Sequence, residues 1–156
     1  MTKMVLITST PCREGVIEFL NSLNVDFVVG LGDIECPQYI SNYYGILGEM
    51  DTVTTQKYLR KMNKLIASSF LNVFSIDFSS KIVITHFPPD SPTGSRFVKA
   101  KILAESPEIV IHGHSRVQKE YSIGRTRVIS VGSMELGYYV IFNTHDSRVE
   151  LERTSH

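Results

Sequence analysis

Two cysteines, Cys12 and Cys36, are all that the 156 residues contain, too few for the disulfide framework that staples small secreted domains. Neither has a neighbouring thiol at zinc-knuckle spacing. The expectation is that no disulfide framework forms and that the default location is a reducing cytoplasm. No apolar run approaches the roughly 18 residues of a membrane span, and the region after Met1 lacks a basic stretch followed by a long apolar one. Neither a span nor a secretory leader is therefore expected. Collagen and coiled coil are excluded because no repeat or heptad runs through the chain. Net charge is also absent, since 16 basic residues balance 16 acidic ones. What remains is ordinary for a globular protein: 42% hydrophobic and 21% charged residues. The length suits one domain over residues 1–156, able to bury roughly two-thirds of its unfolded surface without staples.

The zero balance conceals an asymmetry. Residues 1–56 hold two bases and seven acids, whereas residues 57–101 hold eight bases and two acids. Such a distribution speaks to partners rather than to fold, and it keeps an anionic substrate or partner in view.

The patterning predicts an α/β protein. Met4-Val5-Leu6-Ile7-Thr8 is a short apolar run without helical period, the signature of a buried strand. Glu14 to Leu23 carries Val16, Ile17, Leu20 and Leu23 at helical spacing, and Val25 to Gly30 is a second strand. Together they form a parallel βαβ unit. Tyr44 to Leu47 reads as a third strand and Val53 to Phe70 as the longest helix, with Tyr58, Met62, Leu65 and Ile66 on its apolar face. Lys57, Arg60, Lys61 and Lys64 lie opposite, and the plain reading of that stripe is a solvated face. Strands follow at Val73 to Phe78 and Lys81 to His86, the latter ended by Pro88 and Pro89. A helix is expected over Phe97 to Ala104 and a strand over Ile109 to His112. Beyond Gly113 the texture becomes antiparallel: Glu120 to Ile123, Arg127 to Val131, Tyr138 to Phe142 and Val149 to Leu151 are short strands between turns. Tyr138 to Phe142 is a candidate for an exposed sheet edge. The expected fold class is two packed β-sheets flanked by helices.

Polar residues gather where strands end, the place at which open α/β sheets bind ligands. These loops read Ser9-Thr10-Pro11, Gly32-Asp33-Ile34-Glu35, Gly48-Glu49-Met50-Asp51, Thr85-His86 and His112-Gly113-His114-Ser115-Arg116. Carboxylate and imidazole on adjacent loops make a candidate divalent-metal site, suited to Mn²⁺, Zn²⁺, Fe²⁺ or Ni²⁺. His112, at the end of an apolar strand, reads as structural.

The order of these segments resembles the calcineurin-like metallophosphoesterases, particularly their small minimal members. That family shows D-x-H, G-D-x-x-D, G-N-x-D, a lone His, G-H-x-H and a late Gly-Ser. Here the matching segments are Ser9-Thr10-Pro11, Gly32-Asp33, Gly48-Glu49-Met50-Asp51, Thr85-His86, Gly113-His114-Ser115-Arg116 and Gly132-Ser133. The resemblance spans nearly the whole chain and implies a metallophosphoesterase-like fold with two adjacent metal positions. One would be held by the positions of Ser9, Pro11, Asp33 and Arg116, where only the aspartate can ligate. The other would be held by Asp33, Glu49, His86 and His114, all of which can. The resemblance therefore implies one retained metal site, with Asp33 and Arg116 as catalytic candidates. Arg116 pointing toward the lost ion would neutralise Asp33 and offer phosphate a guanidinium fork; the alternative is that it turns to solvent. Where larger relatives place a leaving-group histidine, this chain has Met50.

Two functions compete on these residues. One is a reduced enzyme, a one-metal phosphodiesterase or phosphatase acting on a phosphate ester with one divalent ion, Mn²⁺ first. The other is a non-catalytic module for a protein partner, since the superfamily includes a retromer subunit that keeps the fold for its surface. A nucleic-acid partner, bound through the Lys57, Arg60, Lys61, Lys64 stripe with Arg96, Lys99 and Lys101, is a weaker third reading, because the balanced charge argues against it. Substrate and oligomeric state are not legible.

Overall fold

A computed structural model describes residues 2–66, 74–75, 82–89 and 94–154 of the chain. In chain order the elements are β1 (Lys3–Ile7), α1 (Glu14–Ser22), β2 (Phe27–Leu31), β3 (Tyr43–Ile46), α2 (Val53–Lys61), β4 (Phe74–Ser75) and β5 (Ile82–Thr85). They continue with α3 (Arg96–Glu105), β6 (Ile109–His112), β7 (Lys119–Ile123), β8 (Thr126–Ser130), β9 (Tyr138–Asn143) and β10 (Arg148–Arg153). Two sheets result, ordered β10-β9-β1-β2-β3 and β4-β5-β6-β8-β7.

The layers follow from the alternation of side chains along each strand. On β1, Met4 and Leu6 face inward with Val29, Leu31 and Ile46. There they meet Ile84, Ile109, Ile111 and Ile129 of the second sheet, and this intersheet layer is the main core. The alternate residues Val5 and Ile7 face outward and pack with Val16 and Leu20 of α1 and Leu59 of α2. On the far side Val83 and Val110 meet Val98 and Ile102 of α3. Strands covered on both faces need apolar residues at every position, which is why β1, β5 and β6 read as unbroken apolar runs. The order is thus helix, sheet, sheet, helix, the arrangement expected from the sequence.

Several expectations need correction. The helix expected over Val53 to Phe70 ends at Lys61. Asn63 takes a left-handed φ of 57°, the chain reverses, and Leu65 bridges to Gly45 beside β3. Residues 67–70 lie outside the described residues, as do most of the strand expected over Val73 to Phe78 and the first residue of Lys81 to His86. Lys64 leaves the basic stripe: its Nζ reaches the Tyr43 carbonyl at 3.4 Å and sits 4.8 Å from the Tyr44 ring centre. The antiparallel hairpins expected after Gly113 do form, β7 with β8 and β9 with β10, but each joins a different sheet beside an earlier strand. β8 runs parallel to β6, while β9 inserts antiparallel beside β1. Tyr138 to Phe142 is therefore interior to its sheet, and β10 and β3 form the edges. A strand formed from distant segments finds its neighbour by covering apolar area, which local pattern does not encode.

Tyr43 illustrates how tightly the first sheet is filled. Its ring covers Gly30 and Gly45, where any Cβ would collide with it. Only 1% of the residue is exposed, and its hydroxyl finds no hydrogen-bond partner among the described residues. Burial first, then the nearby Asp51 charge, holds this phenol well above its ordinary pKa. Tyr43→Phe removes an unsatisfied buried hydroxyl and is expected to raise unfolding free energy by about 1 kcal/mol in urea. The margin should widen above about pH 10, where the unfolded phenol ionises while the buried one keeps its proton. A loss of stability in Tyr43→Phe at neutral pH would show that the hydroxyl is bonded.

Candidate metal centre

Asp33, Glu49, His86 and His114 converge at the carboxyl ends of β2, β3, β5 and β6, with one donor atom from each within 4.8 Å of all the others. Donors around a divalent ion at about 2.0–2.2 Å lie roughly 3–4 Å apart, so the spacing suits one ion. His86 Nε2 is 3.4 Å from Asp33 Oδ2 and 3.5 Å from Glu49 Oε1, and His114 Nδ1 is 2.6 Å from Glu49 Oε1.

His86 is the best-determined member. It is fully buried, and its Nδ1 lies 2.7 Å from the Leu31 carbonyl oxygen. A carbonyl only accepts, so Nδ1 carries a proton, and the ring turns its Nε2 toward the two carboxylates. That Nε2 is buried with no hydrogen-bond partner among the described residues. A nitrogen buried between two carboxylates calls for a positive charge there, which a bound cation supplies. Hydrogen bonding of the non-ligating nitrogen to a carbonyl is also how metal-binding histidines are oriented. The residues therefore fit a divalent ion.

The backbone is bent to make this possible. Asp33 and His114 both adopt left-handed φ, 62° and 66°, a costly state for residues with a Cβ and one that marks functional loops. Gly48 is required by closeness: a Cβ there would lie 2.7 Å from His86 Cε1 and 2.8 Å from Asp33 Cγ. Asp51 ties these loops together. Its carboxylate accepts from the amides of Asp33 at 3.0 Å, Ile34 at 3.0 Å and Gly48 at 2.8 Å. Burial raises its pKa and outweighs the lowering effect of those amides. In return the Met50 amide donates to Asp33 Oδ1 at 2.9 Å, which leaves Oδ2 for the cluster.

Beside the cluster lies a cleft of about 390 Å³ whose walls include Ser9, Pro11, Arg13, Asp33, Met50 and Asp51. Ser9 and Pro11 take no part in the ligand cluster. Arg116 is exposed and makes no hydrogen bond or ion pair with any described residue, so the structure does not bring its guanidinium to Asp33. His112 is buried, with Nε2 3.0 Å from the Tyr121 hydroxyl and Nδ1 2.9 Å from the Gly113 carbonyl. Ser133 is buried, and the next residue, Met134, donates its amide to the Thr8 carbonyl at 2.9 Å.

Sequence reasoning missed two features here. Arg13 lines the cleft, and its only signal was its place on the first strand-end loop. The second is a disulfide between Cys12 and Cys36, whose Cα atoms are 5.5 Å apart. The loops after β1 and β2 run side by side, with the Thr10 amide bonded to the Asp33 carbonyl and the Glu35 amide to the Thr10 carbonyl. That pairing carries the two cysteines opposite each other although they are 24 residues apart. The expectation that no disulfide framework forms is thereby corrected to one disulfide, and the inference from it to a reducing cytoplasm loses its premise.

No family model matches the chain, and no curated protein matches it. Solved structures do. An archaeal phosphodiesterase aligns at a TM-score of 0.73 and 18% identity over 97% of this chain and 99% of that one. A Thermotoga maritima protein solved by NMR aligns at 0.66 and 22% over the whole of both chains. Vps29 of Entamoeba histolytica, crystallised with Zn²⁺, aligns at 0.57 and 15% over 97% of this chain and 98% of that one.

Two predictions follow from the loop ties. Replacing both Cys12 and Cys36 by alanine, or reducing their bond, is expected to lower stability by about 3 kcal/mol in urea unfolding through loop entropy returned to the unfolded chain. Asp51→Asn keeps one acceptor oxygen for three amides and should lower Mn²⁺ affinity by about 10–100-fold in calorimetry without removing a ligand. Unchanged affinity would mean that the loops hold their shape without it.

Proposed function

We propose, from the small calcineurin-like metallophosphoesterase fold that this chain carries, that it is a one-metal phosphoesterase working at the Asp33, Glu49, His86, His114 centre. The observation that carries this reading is the buried, unpartnered His86 Nε2 directed at two carboxylates. Two imidazoles with two carboxylates suit Mn²⁺, Zn²⁺ or Fe²⁺, and Mn²⁺ is the first choice. A divalent ion held there supplies Lewis-acid polarisation of a phosphoryl oxygen and lowers the pKa of water.

The chain's own residues would do the rest. His86 and His114 would each supply an imidazole nitrogen, and Asp33 and Glu49 would balance the charge of a divalent ion. Asp33 also faces the cleft, so an ester docked there lies against the centre. Met50, 75% exposed on the cleft rim, has no proton to give a departing alkoxide. Turnover should therefore depend steeply on the leaving group, with p-nitrophenolate, which needs no proton, far better than an alkyl alcohol.

A second reading, a phosphoesterase fold kept as a surface for a protein partner, draws support from Ser9 and Pro11 where a second metal position would need ligands. The two readings part on one experiment. Mn²⁺ titrated into metal-stripped protein should bind at about one ion per chain and be lost in His86→Ala and His114→Ala. Disturbing only the surroundings of a metal ligand costs about 10–100-fold, so turnover of bis(p-nitrophenyl) phosphate should fall at least about a hundredfold in either variant. Binding of one ion without turnover favours the surface reading, and two ions per chain would overturn the one-metal proposal.

A further inference from the structure

The one-metal reading leaves an electrostatic deficit. A divalent ion between Asp33 and Glu49 forms a centre with no net charge, yet the substrate is an anion. The neighbouring cleft makes matters worse, because Glu35, Asp51 and Glu135 also line it. Among the described residues, Arg13 is the only basic side chain on the cleft wall. Its guanidinium makes no hydrogen bond or ion pair with any described residue, the cleft's own carboxylates included.

We propose that Arg13 is the phosphoryl-binding residue of this cleft, supplying from the protein the positive charge that a second metal ion would otherwise bring. This deepens the one-metal reading and rests on it for the substrate class, an anionic phosphate ester. A guanidinium is permanently charged, and its planar fork matches two phosphoryl oxygens. Its backbone is well held. The Arg13 amide donates to the Pro11 carbonyl, and the Arg13 carbonyl accepts from Ile17 as α1 begins. One residue earlier, Cys12 is bonded to Cys36, and its amide donates to Glu35 Oε1 at 3.0 Å. The disulfide and the helix start together keep residue 13 at the cleft, so the long side chain has only its own rotamers left to order when an anion arrives. Cys12 and Cys36 thus acquire a function that their stability contribution alone does not explain.

The test is the binding of inorganic phosphate, followed by calorimetry in the presence and absence of saturating Mn²⁺, with Arg13→Ala, Arg13→Lys and Arg60→Ala. The Arg13 side chain is exposed and makes no hydrogen bond or ion pair with any described residue, so Arg13→Ala should fold as the parent does, which thermal melting checks. Charge-assisted hydrogen bonds are among the strongest polar contacts, and phosphate affinity should fall about tenfold or more in Arg13→Ala. Arg13→Lys should recover part of that loss, while Arg60→Ala, on the exposed face of α2, should bind phosphate as the parent does. Mn²⁺ affinity should be the same in all four proteins. Equal phosphate affinity in the parent and Arg13→Ala overturns the proposal, as does a parent that binds no phosphate with or without Mn²⁺. If the parent binds no Mn²⁺, the one-metal reading fails instead, and the Arg13 dependence of phosphate binding to the metal-free protein still decides this one.

Discussion

Three backbone amides converging on one carboxylate hold the site together. Asp51 receives the amides of Asp33, Ile34 and Gly48, and so fastens the loop after β2 to the loop after β3. Those loops carry two of the four converging ligands, and a left-handed Asp33 would not persist without a bond at its own amide. The carboxylate is paid for in desolvation, which raises its pKa, and it is kept because no neutral side chain could take all three donors. Everything else at the centre assumes this knot.

The sheets supply the remaining geometry. β5 and β6 lie parallel and adjacent, in register from Ile82 with Ile109 to Thr85 with His112, so the residues just past their ends, His86 and His114, emerge side by side. Their ring centres are 5.2 Å apart. The first sheet brings Asp33 and Glu49 to the same rim from the other side of the core, and the Leu31 carbonyl at the end of β2 turns His86 across the gap. A hydrogen bond between sheets thus sets the tautomer that a ligand needs. The layered core is what makes that bond possible: without the apolar contact of Leu31 and Ile84 across the intersheet layer, the two rims would not face each other.

The four-residue cluster and the cleft beside it differ in character. Around His86 the chain is buried, crowded and intolerant of any added atom at Gly48. Across Asp33 the space opens into a cleft walled by Ser9 and Pro11, where a disulfide rather than a metal links the loops. A covalent tie between the β1 and β2 loops can stiffen them as ligation would, but it brings no charge.

Much of the centre was legible in the chain. Asp33, Glu49, His86 and His114 each follow an apolar strand, and the strand ends of a sheet are neighbours, so pattern pointed to these loops and the family resemblance picked from them the four residues that the structure gathers. The elements β1, β6 and α1 were legible for the same reason: a segment buried on both faces or along one stripe must show it in its residues. What pattern did not reveal were matters of partner choice. The early stop of α2, the insertion of β9 beside β1, the meeting of Cys12 with Cys36 and the separation of Arg116 from Asp33 all depend on where distant segments come to rest. Arg13 and Arg116 are chemically alike and both follow strand ends, yet one lines the cleft and the other does not. Residue type and local spacing therefore determined which side chains could act, while the packing of two sheets decided which of them meet, because proximity between segments is a property of the buried core and not of any stretch of sequence.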